Sequence, residues 1–334
     1  MEYAKFDPRN TTFQNSLKQT NMHTIMIRFC TLMLLFFSLA TASAQERIDL
    51  WEGIPMPNSR GVEVADSIAN HRVYKVGRPA LYRVAPAPDE NRGIAMVICP
   101  GGGYQRYAWE VAGWDIARWL AKEGITGFIL TARLPLSPDT VTPELIGTQD
   151  LQRALQLIRA HASEWGIDPE KIGVEGSSAG GHLAATAGVA TELLYPRSDA
   201  ISHEPHHPNF MVLVSPVITL RDPYTHRGSR AALLGEHPTE EQLHHYSIDE
   251  QVTAKTPPTL LFHAHNDRSV ACENSIRMYE ALRAQGVVAS LHIFPEGGHA
   301  ISLETQPAGT ELWKELTERW IDLLYGPKNE TSKQ

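Results

Sequence analysis

One serine stands in a pentapeptide that has a glycine two residues away on either side, Gly176-Ser177-Ser178-Ala179-Gly180. Residues 171–175 before it have the apolar character of a short buried strand, and residues 180–187 after it are mostly small, as in a helix packed closely on a neighbour. A G-x-S-x-G sequence between a strand and a helix places its central hydroxyl on a sharp turn at the end of a sheet. The pentapeptide therefore predicts an α/β fold with Ser178 at a strand-to-helix turn.

Apolar segments of strand length alternate with amphipathic helical segments along most of the chain. The predicted strands are 72–76, 80–84, 93–99, 127–134, 172–175, 210–214, 259–263 and 290–294, and the predicted helices are 108–123, 148–164, 180–190, 273–285 and 310–324. Such alternation indicates a mostly parallel sheet covered by helices on both faces. Because Gly77-Arg78-Pro79 joins the first two strands, we expect these to form an antiparallel hairpin at the sheet edge. The predicted fold is an α/β fold built on an eight-stranded sheet.

Residues 192–258 break this regular alternation, because His, Pro and Asp clusters surround a single strand-like run. In an open α/β sheet, ligands bind at the C-terminal ends of the strands. We interpret the segment as an insertion of loops and short helices over these ends. The insertion either contacts the ligand or forms surface structure far from the ligand site, and both interpretations stay open.

The N-terminal region has the pattern of a secretory signal peptide. An apolar run begins behind Arg28, continues to Leu39 and is followed by the cleavage pattern Ala42-Ser43-Ala44. The run is too short for a spanning helix, which needs about 20 residues, so cleavage is favoured over a membrane anchor. We predict a signal peptide at 1–44, export to the periplasm or the exterior, and a single domain at 45–334, while Met1, Met22 and Met26 all remain possible starts.

The remaining composition limits the class of partner. A formal net charge of −8 without a basic run argues against nucleic acid or an anionic membrane surface. Cys99 and Cys272 remain after cleavage, and they lack the paired spacing of a disulfide framework, so we expect two free thiols. The sequence leaves the oligomeric state open.

A serine hydroxyl becomes a nucleophile only when an imidazole takes its proton and a carboxylate orients that imidazole. In folds with this serine turn the order along the chain is serine, acid, histidine, each just past a strand. Asp267 follows the predicted strand 259–263 and His299 follows 290–294, directly after Gly297-Gly298. We predict Ser178, Asp267 and His299 as a catalytic triad, with Asp222 and Asp249 as rival acids.

Attack on a carbonyl also needs N–H donors for the negative charge that develops on oxygen. The strand at 93–99 runs into Pro100-Gly101-Gly102-Gly103-Tyr104, whose glycines leave their amides unshielded. We predict the N–H groups of Gly102 and Ala179 as oxyanion donors, with Gly101 in reserve.

With these motifs the chain resembles the α/β-hydrolase superfamily and, within it, bacterial carbohydrate esterases similar to acetylxylan esterases. The resemblance covers about residues 70–326 and lies in the glycine loop, the serine pentapeptide, Glu296-Gly297-Gly298-His299 and His226-Arg227-Gly228-Ser229-Arg230. It implies a serine carboxylic-ester hydrolase that removes acyl groups, most simply acetyl, from plant-type oligo- or polysaccharides without a cofactor. It also implies His226 and Ser229 as substrate contacts. Relatives carry His-Glu-Gly where this chain has Val111-Ala112-Gly113, so acyl or sugar preference is expected to differ here.

Other interpretations of these residues remain. Tyr104, Trp109 and Trp114 are candidates for stacking on a sugar, although the helical spacing of Trp114 and Trp119 is more typical of core residues. The run His263-Ala264-His265-Asn266-Asp267 matches part of a metal motif, but Arg268 replaces its next histidine, so we predict no metal. A prolyl-oligopeptidase-like exopeptidase and a catalytically silent glycan-binding protein are the alternative functions.

Overall fold

The structure is a computed structural model that describes residues 46–307 and 309–328 of the chain. The predicted signal peptide at 1–44 lies outside the described residues. In the described ranges no helix is both long and apolar enough to cross a membrane.

Two sheets form from the strands of the described residues. The strands are β1 (Glu46–Asp49), β2 (Ser67–Ala69), β3 (Arg72–Lys75), β4 (Ala80–Val84), β5 (Ile94–Cys99), β6 (Ile125–Thr131), β7 (Ile172–Ser177), β8 (Met211–Val214), β9 (Thr259–Ala264) and β10 (Ala289–Phe294). The central sheet has eight strands in the order β1-β4-β6-β5-β7-β8-β9-β10. Its pairs are parallel from β6 to β10 and antiparallel at β1-β4 and β4-β6. This arrangement confirms the predicted α/β fold with a mostly parallel eight-stranded sheet.

The predicted edge hairpin is wrong. β3 does not pair with β4 but with β2, in a separate two-stranded sheet, and β1 takes the place beside β4. The physical reason lies in the connection, because the Gly77 amide donates to the Asp66 carboxylate at 2.7 Å and holds this segment to the preceding loop. Val73 is buried and forms a bridge with Tyr107 instead.

Helices cover both faces of the sheet. They are α1 (Asp115–Lys122), α2 (Pro143–Ala160), α3 (Ala162–Trp165), α4 (Ala179–Val189), α5 (Arg227–Leu234), α6 (Glu240–Tyr246), α7 (Glu273–Ala284) and α8 (Leu312–Tyr325). The five predicted helices are present with shifted ends: α1 is preceded by a π-helical turn at Glu110–Trp114, and α2 starts five residues earlier than predicted, where Pro143 occupies its first turn. Consecutive β6 residues such as Phe128 and Ile129 belong to opposite hydrophobic layers, so both faces of the sheet are apolar.

The segment 192–258 is only in part a surface addition. Its strand β8 lies between β7 and β9 inside the central sheet, whereas α5 and α6 follow that strand. Strand β8 is buried along its whole length, which explains the clear apolar run within an otherwise polar segment.

Candidate active site

Ser178 occupies the turn between β7 and α4 with backbone angles of φ 56° and ψ −123°. Its N–H donates to the Val214 carbonyl at 3.1 Å, and its own carbonyl accepts from the Val217 N–H at 2.9 Å. A Cβ added at Gly180 would overlap the carbonyl of Cys99, so the helix start lies against the end of β5. The strained serine conformation is therefore fixed by backbone contacts from both neighbouring strands.

The three predicted triad residues form one chain of hydrogen bonds. His299 Nε2 lies 2.8 Å from Ser178 Oγ, and His299 Nδ1 lies 2.8 Å from Asp267 Oδ2. Because a carboxylate only accepts, Nδ1 carries the proton and Nε2 is the acceptor that faces the serine hydroxyl. The structure thus brings together the residues predicted as nucleophile, base and orienting acid, in a geometry that suits acyl transfer.

The carboxylate of Asp267 is held in its ionised form. Its Oδ1 accepts from the backbone N–H groups of Ser269 and Val270 at 2.8 and 3.0 Å. Burial opposes ionisation, but hydrogen bonds from His263 and His299 outweigh it and hold the pKa of Asp267 well below its usual range. The rival acids are engaged elsewhere: Asp222 with Arg230 at 3.1 Å, and Asp249 with Arg277 at 2.7 Å.

The loop that carries His299 is unusual in its backbone. Five residues have φ between +47° and +143°, namely Gly297, Gly298, Ala300, Ile301 and Ser302. The Gly298 N–H donates to Asn266 Oδ1 at 2.9 Å, and the Ile301 side chain is fully buried. The imidazole itself is about one-third exposed, at 33 %.

The predicted oxyanion donors lie beside the serine. Gly102 has φ +148° on the loop after β5, and Ala179 is the first residue of α4, where helix amides lack intrahelical partners. In the described ranges no protein acceptor is bonded to the N–H of Gly102 or of Ala179. Gly101 is tightly packed, since a Cβ there would lie 3.0 Å from the Ser178 Cβ. Two unsatisfied amides next to a nucleophile can stabilise negative charge on a substrate oxygen.

A cavity of about 490 Å³ opens over these groups. Ser178, His299, Gly101, Gly102 and Gly103 line one part of it. The rest of its wall includes His226 and several residues that were not predicted as site residues, among them Arg72, Gln105, Arg106, Val111, Ala112 and Glu304. The sequence pointed to Val111 and Ala112, because the chain departs there from the His-Glu-Gly of its relatives. No sequence pattern pointed to Arg72.

Tyr104 does not line this cavity, which corrects its assignment as a substrate contact. Its side chain is buried, and its hydroxyl lies 2.8 Å from His182 Nδ1. His182 Nε2 donates to the Tyr246 carbonyl at 2.8 Å, so Nδ1 accepts from the tyrosine hydroxyl. Burial lowers the pKa of His182 to about 4, and the pair is a neutral structural contact. Trp109 likewise packs on Tyr82, with ring centroids 4.9 Å apart, and is absent from the wall.

His226 and Ser229, both predicted as substrate contacts, differ in their exposure to the cavity. The His226 ring lines the cavity, whereas Ser229 is fully buried behind it and makes no part of the wall, which corrects its assignment as a contact. The Ser229 N–H donates to His226 Nδ1 at 3.1 Å, and the Ser229 hydroxyl lies 2.8 Å from the same nitrogen. Burial and the neighbouring His299 lower the pKa of His226. With Nδ1 an acceptor, the proton of the neutral ring resides on Nε2.

The partial metal motif is occupied by protein contacts. His263 Nδ1 lies 2.8 Å from the Ser275 hydroxyl and Nε2 lies 2.9 Å from the Val270 carbonyl. Across 46–307 and 309–328 no group of three or more His, Cys, Asp or Glu side chains is arranged to hold a metal ion. Cys99 and Cys272 are both free thiols.

Comparison with known proteins adds family information to this geometry. Residues 86–282 match the family model BD-FAE. The chain is 30 % identical over 247 residues to an acetylxylan esterase of Xylanibacter ruminicola, covering 73 % of this chain and 48 % of the relative. It is 28 % identical over 288 residues to endo-1,4-beta-xylanase B of Butyrivibrio fibrisolvens, covering 79 % of this chain and 43 % of the relative. The chain therefore spans about half the length of these curated relatives.

A solved structure matches more completely. The acetyl ester-xyloside bifunctional hydrolase of Caldicellulosiruptor lactoaceticus superimposes with a TM-score of 0.72 at 31 % identity, covering 85 % of this chain and 97 % of that one. Its likeness thus extends over nearly the whole described region.

Proposed function

Because the chain belongs to the BD-FAE family and has the α/β-hydrolase fold, we propose that it is a serine carboxylic-ester hydrolase that removes acetyl groups from plant-type oligo- or polysaccharides. The observation that carries the proposal is the hydrogen-bonded series Asp267, His299, Ser178, whose serine and histidine line an open cavity. Relatives named for acetylxylan and acetyl ester-xyloside substrates support the choice of substrate.

The proposed reaction has two halves. In the first, Ser178 Oγ attacks the ester carbonyl while its proton passes to His299 Nε2. The N–H groups of Gly102 and Ala179, with Gly101 in reserve, hold the carbonyl oxygen as it becomes negative. The tetrahedral intermediate collapses, the C–O bond to the sugar breaks, and His299 returns the proton to the departing sugar oxygen. An acyl group remains on Ser178.

In the second half, His299 takes a proton from water, and the resulting hydroxide attacks the acyl-serine. The same amides hold the oxyanion, the bond to Ser178 Oγ breaks, and the serine recovers its proton from His299. Acetate and the deacylated sugar are the products. Asp267 stabilises the imidazolium in both halves, and it stays ionised because its pKa is held low.

We propose His226 as a substrate contact and Ser229 as the residue that sets its tautomer. Two donors from Ser229 occupy Nδ1, so His226 presents an Nε2–H donor on the cavity wall. Such a donor suits an ester or sugar oxygen near the reacting carbonyl. The proposal requires no cofactor.

We further propose that the catalytic unit is the single domain 45–334, exported after removal of residues 1–44. The A-x-A pattern before Gln45 and relatives named for xylan, an extracellular polymer, support export. An ester-bearing oligosaccharide is then the partner, and the net charge of −8 argues against nucleic acid.

The test is Ser178→Ala assayed on 4-nitrophenyl acetate and on acetylated xylo-oligosaccharides. We expect kcat to fall by about 10⁴-fold or more, because the acyl-enzyme cannot form. A fluorophosphonate probe should label wild-type protein at Ser178 and leave the variant unlabelled. Ser163→Ala, at an exposed position on α3, is the matched control.

Three results would overturn the proposal. Full activity of Ser178→Ala would show that Ser178 is not the nucleophile. Faster hydrolysis of an aminoacyl amide than of the acetyl esters would favour the exopeptidase. Folded wild-type protein that neither turns over esters nor reacts with the probe would favour a silent glycan-binding protein.

A further inference from the structure

Two arginines reach the cavity from an isolated pair of backbone segments. Val73 and Tyr107 form an antiparallel bridge, with N–H to carbonyl distances of 3.1 and 2.8 Å in the two directions. Both of these side chains are buried in the core. Because side chains alternate along extended backbone, the adjacent Arg72 and Arg106 lie on the opposite side of the bridge, as diagonal neighbours. Both line the cavity that contains Ser178.

These two guanidinium groups have no acidic partner in the described part of the chain. Most arginines there are paired, as Arg133 is with Asp150 at 2.7 Å and Arg153 with Asp199 at 2.6 Å. Arg72 and Arg106 make neither an ion pair nor a side-chain hydrogen bond within the same ranges; Arg72 is half-buried and Arg106 is exposed. Two cations that line one cavity repel each other, and an anion that binds near both offsets this repulsion.

The charge of the cavity wall differs from that of the whole protein. The chain has a net charge of −8, yet the wall contains two arginines and one acidic side chain, Glu304. Val111 and Ala112 add apolar surface to the same wall. A wall of this kind favours a substrate that brings its own negative charge.

The arginines are also tied to the reacting centre. The Arg106 N–H donates to the Gly102 carbonyl at 3.3 Å, so Arg106 belongs to the loop that supplies a proposed oxyanion donor. An anion bound by Arg106 would therefore hold the substrate in register with Ser178. Among oligosaccharides, the anionic group that suits guanidinium pairs is the carboxylate of a uronic acid.

We propose that Arg72 and Arg106 form a subsite for a uronic-acid carboxylate, which makes acetylated acidic oligosaccharides the preferred substrates. This inference rests on the proposed esterase function. The uronic acid is either a branch on a xylan backbone or a unit of the backbone itself, and both present the same carboxylate.

The experiment compares kcat/KM for three acetylated oligosaccharides: a neutral xylo-oligosaccharide, the same backbone with a uronic-acid branch, and an oligogalacturonide. We expect at least one acidic substrate to exceed the neutral one by about tenfold, mainly through KM, with the excess shrinking at high salt. The acidic substrate that shows the excess identifies the source of the carboxylate. Reducing its carboxyl to an alcohol should abolish the excess in wild-type protein, a result that needs no variant to fold.

Arg72→Gln and Arg106→Gln should each lower the acidic-to-neutral ratio by about threefold, and the double variant should bring it close to one. Arg283→Gln is the matched control, since Arg283 is exposed on α7 and also without an acidic partner in the described ranges. Equal rates on acidic and neutral esters, or an acidic-to-neutral ratio that is unchanged in the double variant, would contradict the proposed subsite. Neither result would contradict the proposed esterase function. Absence of turnover on all three and on 4-nitrophenyl acetate would instead contradict the proposed function.

Discussion

The turn that carries Ser178 and the loop that carries His299 meet in one hydrogen bond but are built by opposite means. At the serine turn, a Cβ at Gly176 would overlap the backbone of Gly180 at the start of α4, and a Cβ at Gly180 would overlap the Cys99 carbonyl at the end of β5. At the histidine loop, a Cβ at Gly298 would meet only Ser302 Oγ, at 3.6 Å. The serine turn is held by backbone packing, whereas the histidine loop has space at Gly298 and is crowded at Gly297 mainly by side chains, with Thr310 nearest at 3.0 Å.

The histidine loop depends on individual side chains. Ile301 is its buried anchor, Asn266 accepts from its Gly298 N–H, and the Ser302 hydroxyl donates to the Gly297 carbonyl. A serine turn enclosed by backbone is sensitive to any added atom, and damage there reaches the whole sheet. Damage to the histidine loop should instead appear in turnover, because the imidazole shifts while the sheet remains folded.

The largest effect is expected at Gly180, where a single substitution tests whether the serine turn is more closely packed than the histidine loop. Gly180→Ala places a methyl group against the Cys99 carbonyl, so we expect destabilisation by more than about 4 kcal/mol and little soluble, folded protein. The partner variant Gly298→Ala has room for its methyl, and its φ of +64° costs about 1 kcal/mol. Expression yield and denaturant unfolding of both variants are the measurements. Two equally destabilised variants would show that the loop is packed as tightly as the turn.

An intermediate effect is expected at Asn266, whose side chain joins the acid-bearing and histidine-bearing loops. Asn266→Ala removes the 2.9 Å acceptor of the Gly298 N–H and should lower kcat by about threefold to tenfold, with KM little changed. Asn91→Ala is the control, because Asn91 Oδ1 likewise accepts from a glycine N–H, that of Gly93 at 2.9 Å, beside the start of β5; its Nδ2 also donates to the Gly166 carbonyl at 3.1 Å. A kcat loss in Asn266→Ala alone, with a stability loss in Asn91→Ala at least as large, would support the comparison. A KM effect alone would contradict it.

Local sequence patterns were sufficient for the parts of the site that follow strands. Ser178, Asp267 and His299 lie one, three and five residues after the ends of β7, β9 and β10, and the C-terminal ends of parallel strands share one edge. Their proximity therefore follows from chain order and strand assignment. The eight-stranded count was also predictable, although one of its members was not.

What sequence could not give depends on long-range pairing and on side-chain direction. β1 joins β4 from over thirty residues away, and no pattern in Glu46–Asp49 distinguishes it from a polar loop. Arg72 reaches the cavity only through the bridge of Val73 with Tyr107. Tyr104 occupies the expected loop, but its φ of +61° and its bond to His182 place the ring away from the substrate.

The smallest effect is expected from Glu175, on the strand that leads into the serine turn. Glu175 is 1 % exposed, is in register with Ile98 and Val212, and its Oε2 has no partner in the described ranges. Burial raises its pKa well above the usual range. In the unfolded chain this carboxyl ionises above its ordinary pKa of about 4.3. In the folded protein it stays protonated to higher pH, so the free energy of unfolding decreases as pH rises from that value toward the pKa of the folded state.

Glu175→Gln keeps the shape of the protonated acid and removes this loss. We expect no stability change near pH 4 and a gain at pH 8 of about 1 kcal/mol, or about 2–4 °C in Tm, measured by thermal unfolding across pH. Glu280→Gln, exposed on α7, should show no such pH dependence. An unchanged kcat in the stabilised variant would indicate that backbone packing, and not this side chain, sets the position of Ser178. A gain in stability that is equal at both pH values would instead show that Glu175 destabilises the fold through its packing and not through its ionisation.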